Sequence, residues 1–130
     1  MRIAPTLLSF ESLPGGWIMV VMDKIGNNYI SLFSASTVMR GYLYDLIKEK
    51  LQELHQKGMV HGDFCNAKIV VEKIASDKFL FLDFDWAGRI GEVTYPMNVN
   101  RADIWRPDDA VDGKLIKAKH DIMMRRNDHL

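Results

Sequence analysis

Residues 59–73, MVHGDFCNAKIVVEK, put a His-Gly-Asp turn between a long helical pattern and an apolar, strand-like run. On the upstream side Met39, Tyr42, Leu43, Leu46, Ile47, Leu51 and Leu54 recur at steps of three and four, which predicts an amphipathic helix over residues 36–57. Ser36 is its expected N-cap and Gly58 its stop, and Lys57 sits where a cation suits the helix dipole. Gly41 inside this helix costs ~1 kcal/mol relative to alanine, which close packing against a neighbour would explain. On the downstream side KIVVE and FLFLDFD, joined by KIASDK, read as an antiparallel hairpin. A hairpin that begins just after Asp63 and ends at Asp83 returns the chain to where it left, so these two aspartates are expected side by side.

The flanks add a second hairpin and a final helix. TLLSFE and WIMVVM are separated by SLPGG, whose proline and glycines supply turn chemistry. WIMVVM is apolar on both faces and reads as an interior strand, after which the polar DKIGNN leaves the sheet. Residues 89–113 carry two prolines and no sustained period, so an irregular segment is expected, of the kind that tends to be functional or mobile. A last helix is expected over residues 114–126, with Ile116, His120, Ile122 and Met123 on one side. Lys114, Lys117, Lys119, Arg125 and Arg126 then read as a solvated basic face.

Bulk composition narrows the function classes. A chain of 130 residues suits one domain, and 17 basic against 17 acidic residues provide no overall field for nucleic acid or anionic lipid. The single cysteine, Cys65, rules out an intrachain disulfide or a multi-cysteine zinc site, and it reads as a small, partly buried hydrophobe. No apolar run reaches the ~20 residues of a membrane span and no signal-type leader is evident, so the chain reads as soluble and intracellular.

The chemistry centres on the aspartates. Each of Asp63 and Asp83 is expected to emerge at a strand end. One can accept a proton from a hydroxyl, while the other, with Asp85 two residues on and on the same strand face, can hold Mg²⁺. Magnesium takes one or two carboxylates plus phosphate oxygens and water, so a sparse acidic site suits a nucleotide-bound metal. The alternative is that both aspartates only cap turns. A metal-dependent phosphohydrolase reading of the His120-Asp121 pair fails on its ligands, because the four histidines have no metal-binding spacing.

The order of long helix, HGD, hairpin and LDFDWAG, followed by GEVTYP, resembles the C-terminal lobe of the protein-kinase-like fold and, within it, the fungal protein-kinase-like family. The resemblance implies an α+β fold: a hinge hairpin over residues 1–26, a helix, catalytic loop and metal-motif hairpin over 27–88, and an activation-like segment with a terminal helix over 89–130. It implies ATP and Mg²⁺ as cofactors and a protein or small-molecule hydroxyl as acceptor. Asp63 would be the catalytic base, and Asp83, with Asp85, would hold the metal. Met22, Asp23 and Ile25 would face the nucleotide from the hinge and Lys68 from the catalytic loop, while His61, Phe84 and Asp121 would support the loops.

The chain departs from the family pattern in four ways. The Gly-rich loop, the strand lysine and its glutamate partner do not occur; Lys68 stands where the family carries a metal-binding asparagine; and Gly62 replaces the usual loop arginine. The later helices that buttress the lobe do not occur either. Two expectations follow: a truncated phosphotransferase that is weakly active or inactive alone, or a non-catalytic, kinase-like interaction module whose exposed lobe surface a protein partner covers.

Overall fold

The long helix, α1, runs from Thr37 to Gln56 in a computed structural model that describes residues 3–73 and 77–126, and of Phe33, Thr37 and Arg126 the backbone alone. Ser36 caps it, its side chain accepting from the Met39 N–H at 3.1 Å, and Gly58 ends it in a left-handed conformation at φ 82°. Leu43, Ile47 and Leu51 are fully buried, with Met39, Leu46 and Leu54 packed beside them. Each buried side chain of this size contributes about 1.5–3 kcal/mol. Tyr42, expected on that stripe, is 63 % exposed, because it falls one helical step off the buried row. A side chain at Gly41 would meet nothing within 4 Å, so close packing does not account for that glycine.

The helix packs against a three-stranded antiparallel sheet of order β3-β5-β6, made of Tyr29–Ser31, Ile69–Glu72 and Phe79–Phe81. The β5–β6 hairpin is the one read from KIVVE and FLFLDFD, with Ile69 opposite Phe81 and Val71 opposite Phe79. Residues 74–76 of its expected connector lie outside the described residues. Ile69, Val71, Phe79 and Phe81 face α1, and Phe64 closes the core edge-on to Phe81 at 4.8 Å. Strand β3 has no signal in the sequence, since three residues are too few to show a period.

The first hairpin pairs β1, Leu7–Leu13, with β2, Trp17–Met22, around a turn in which Gly15 and Gly16 adopt φ 84° and 81°. The expectation of an interior strand is corrected here. All six residues of β2 are exposed, Trp17 at 73 %, and the two-stranded sheet has no third strand among the described residues. An apolar pattern on both faces records a need for cover, and the described residues do not supply it.

Two further short strands, β4 (Met59–Val60) and β7 (Gly88–Arg89), pair antiparallel and clamp the loop after α1 to the loop after β6. The last helix, α2, is Ala118–Arg126 and starts four residues later than expected, because Leu115 bridges Thr94 and the Ile116 N–H donates to Val93 O at 2.9 Å. That register buries Met124 and leaves Met123 40 % exposed. Arg125 is buried, donates to Tyr44 O at 3.2 Å and lies over the Tyr44 ring, so it does not belong to a solvated face. A second core of Val60, Tyr95, Ala110 and Ile116 organises the segment between β7 and α2. Among the described residues no helix is long and apolar enough to cross a membrane.

Candidate functional site

The turn after β4 is built around His61, which is fully buried. Its Nε2 donates to Leu82 O at 2.7 Å and its Nδ1 accepts from the Asp63 N–H at 3.2 Å, which assigns the ring proton to Nε2. The ring also packs on Phe64 at 5.2 Å and on Phe84 at 4.9 Å. His61 therefore ties the loop that carries Asp63 to the loop that carries Asp83.

Asp121, fully buried on α2, fixes the same turn from the other side. Its Oδ2 accepts from the His61 N–H at 2.8 Å and contacts His55 Nε2 at 2.9 Å, while Oδ1 accepts from the Gly62 N–H at 3.0 Å. Gly62 has φ 94°, and a Cβ there would lie 2.8 Å from Trp86 O, so only glycine lets the two loops approach this closely.

Twenty positions apart in sequence, Asp63 and Asp83 meet through one ammonium. Lys68, at the end of the short 3₁₀ turn Asn66–Lys68, places Nζ 2.5 Å from Asp83 Oδ2 and 3.8 Å from Asp63 Oδ2. The hydrogen bond to Lys68 holds the Asp83 carboxyl below the usual aspartate range, and the same bond raises the Lys68 ammonium. Asp85 is pushed the opposite way, first by the Asp83 charge and then by a hydrogen bond to Asp83, so these two carboxylates are close neighbours. Asp83 is one of two non-glycine residues with positive φ among the described residues, at 59°. That conformation is uncommon for a residue with a side chain.

The other oxygen of Asp63 meets Arg106, a residue that the sequence reading passed over. Arg106 Nη1 lies 3.1 Å from Asp63 Oδ1, although no donor is aligned well enough to make a hydrogen bond to that buried oxygen. The guanidinium is buried and immobilised: Nε donates to Asn100 O at 2.8 Å and the group stacks on Trp86 at 5.0 Å. Arg101 braces the same segment by donating to Pro107 O and Ala110 O, and Asp112 accepts from the Asn98 and Val99 N–H groups. The only trace in sequence was an arginine between Trp105 and Pro107 in a stretch with no period.

The remaining candidates fall elsewhere. Met22 ends β2 and is 56 % exposed, and the Asp23 N–H donates to Thr6 O at 2.8 Å. Asp23 and Ile25 line a cleft of about 40 Å³ with Tyr29 and Leu80. That is small beside the ~300 Å³ at which small-molecule sites begin. Of the four candidate nucleotide contacts, Lys68 is the one joined to the aspartates by ion pairs among the described residues. Cys65 is partly buried, and desolvation pushes its thiol up, away from the reactive thiolate.

Asp83 and Asp85 are neighbouring hard oxygen donors, a sparse acidic pair that fits a magnesium ion bound chiefly by phosphate and water. Among the described residues no three His, Cys, Asp or Glu side chains converge into an all-protein metal cage. No family model matches the chain, and no curated protein matches it.

Proposed function

We propose that this chain carries the catalytic-loop half of an ATP- and Mg²⁺-dependent phosphotransferase site of the protein-kinase-like fold, closest to the fungal protein-kinase-like family. The observation that carries the reading is the bridge from Asp63 through Lys68 to Asp83, with His61 and Asp121 holding the two loops. Asp63 is the base: anchored at Oδ1 by Arg106, it offers Oδ2 to the proton of an acceptor hydroxyl. Asp83, with Asp85, would hold Mg²⁺, which supplies neutralisation of phosphate charge when bound. Lys68 is the cation within reach of a transferred phosphoryl group, and Gly62 leaves the loop without an arginine to answer a phosphorylated segment.

Catalysis of this class is positioning and electrostatics, so this chain alone is expected to be weak or inactive as an enzyme. Thermal melting of the purified chain with and without MgATP, and with Asp83→Asn as control, tests the reading. A ligand at 100 times its Kd adds about 2.7 kcal/mol and raises the melting temperature by several degrees. A cooperative melt that MgATP does not move would remove the nucleotide from the account.

One observation favours a second reading, a non-catalytic interaction module: the exposed apolar hairpin β1–β2, with Leu8, Phe10, Trp17 and Ile18 each more than half exposed. A chain that melts cooperatively, ignores MgATP and self-associates or captures a protein through that hairpin would support it.

A further inference from the structure

The Lys68 ammonium takes oxygens that a divalent cation would need. Its backbone is fixed, because the Lys68 carbonyl accepts from the Leu82 N–H at 2.7 Å, while its four-carbon side chain is the part free to swing. The pair stands at the mouth of the site, with side-chain exposures of 25 % for Lys68 and 35 % for Asp83. Arg106 is different: its side chain is 1 % exposed and anchored on Asn100 O and Trp86, so Asp63 keeps a counter-charge whichever way Lys68 moves. Among the described residues Lys68 is the cation paired with Asp83. A doubly charged ion and an ammonium cannot share Asp83 Oδ2, and their repulsion across a few ångströms penalises joint occupancy.

We propose that Lys68 is an internal counter-ion that keeps divalent cations off Asp83 until a nucleotide phosphate draws its ammonium away, making metal binding conditional on nucleotide. The nucleotide trigger rests on the phosphotransferase reading; the competition at Asp83 rests on the geometry of Lys68 alone. The exchange breaks no covalent bond: the ammonium trades a carboxylate oxygen for a phosphate oxygen, and the metal takes the vacated carboxylate.

Mn²⁺ serves as the probe, with free Mn²⁺ counted by electron paramagnetic resonance during titration of the 130-residue chain, with and without a non-hydrolysable ATP analogue whose own Mn²⁺ binding is measured without the chain and subtracted. The unaltered chain is expected to bind Mn²⁺ weakly alone and at least about tenfold more tightly with the analogue. Lys68→Met should bind Mn²⁺ at least about tenfold more tightly than the unaltered chain without any nucleotide, and adding Asp83→Asn should remove that gain. Lys68→Arg, which keeps the charge, should behave as the unaltered chain. Thermal melts of each variant establish that it is folded. Unchanged Mn²⁺ affinity in folded Lys68→Met overturns the counter-ion, as does an equal gain in Lys68→Arg. If that happens while MgATP still raises the melting temperature, the phosphotransferase reading stands without it. If the analogue leaves Mn²⁺ binding unchanged, conditional binding is overturned even where Lys68→Met gains affinity.

Discussion

Replacing Asp121 by alanine should cost about 3–5 kcal/mol, a large share of the 5–15 kcal/mol that holds a domain together. The carboxylate is buried and serves three partners, the His61 and Gly62 N–H groups and His55 Nε2, at 2.8–3.0 Å. Truncation strands them in a place from which water is excluded. Each buried donor left without an acceptor costs ~1–3 kcal/mol. At ~2.1 cal/mol/K per residue, unfolding entropy for a chain of this length converts that loss into a fall in melting temperature of roughly 10–18 °C. The control is Asp112→Ala. That carboxylate also accepts from two backbone N–H groups, at Asn98 and Val99, but it is exposed, so water replaces it and the loss should be much smaller. Urea unfolding measures both variants, and amide exchange at His61 and Gly62 should lose protection in Asp121→Ala alone. A melting temperature within ~3 °C of the parent for Asp121→Ala, or an equal fall for Asp112→Ala, would refute the claim that burial makes this brace matter.

Other expectations concern single positions. Gly41→Ala should stabilise the chain by ~0.5–1 kcal/mol, since the new methyl meets nothing and helix propensity improves; a loss in urea unfolding would contradict the open space seen there. Gly62→Ala should destabilise by ~2 kcal/mol or more, because φ is 94° and Trp86 O lies 2.8 Å from the added carbon, and a neutral effect would show that the loops separate easily. The pH dependence separates the paired carboxylates. Asp83 has a depressed folded pKa, so its stabilisation is present above the ordinary aspartate value of 3.8 and is lost as pH falls through the folded value. Asp85 has a raised one, so its contribution favours the fold below 3.8 and disappears as pH rises through the folded value. Asp85→Asn should therefore raise stability at pH 7 by no more than ~0.5 kcal/mol, discounted for its exposure, and the gain should vanish in acid. A gain that persists below pH 3 would point to a cause other than charge.

Local patterns carried much of the fold. The recurrence of Leu43, Ile47 and Leu51 at four-residue steps, with Ser36 before it and Gly58 after it, marks α1, because burial of one helix face leaves that period in the sequence. The runs around Val71 and Phe79 mark a hairpin in the same way, and a hairpin between Asp63 and Asp83 is enough to bring those carboxylates together. Pattern alone misplaced Tyr42, whose side chain turns to solvent, and Met123, which exchanges places with Met124 once the Thr94–Leu115 bridge delays α2. It likewise read β2 as interior, since an apolar strand looks the same whether or not anything covers it.

The amino-acid sequence by itself determined the long helix, the two hairpins and which aspartates meet, because those outcomes follow from periodicity and chain connectivity over a few tens of residues. Only the tertiary structure decided that Arg106 anchors Asp63, that Asp121 receives the His61 and Gly62 amides, and that Lys68 holds Asp83 as an ion pair. Arg106 and Asp121 join residues about forty to sixty positions apart across segments that share no period, and Asp83 meets Lys68 from a left-handed backbone position, φ 59°, that no local pattern announces. Contacts of that kind are fixed by how the folded loops pack, and no local pattern encodes them.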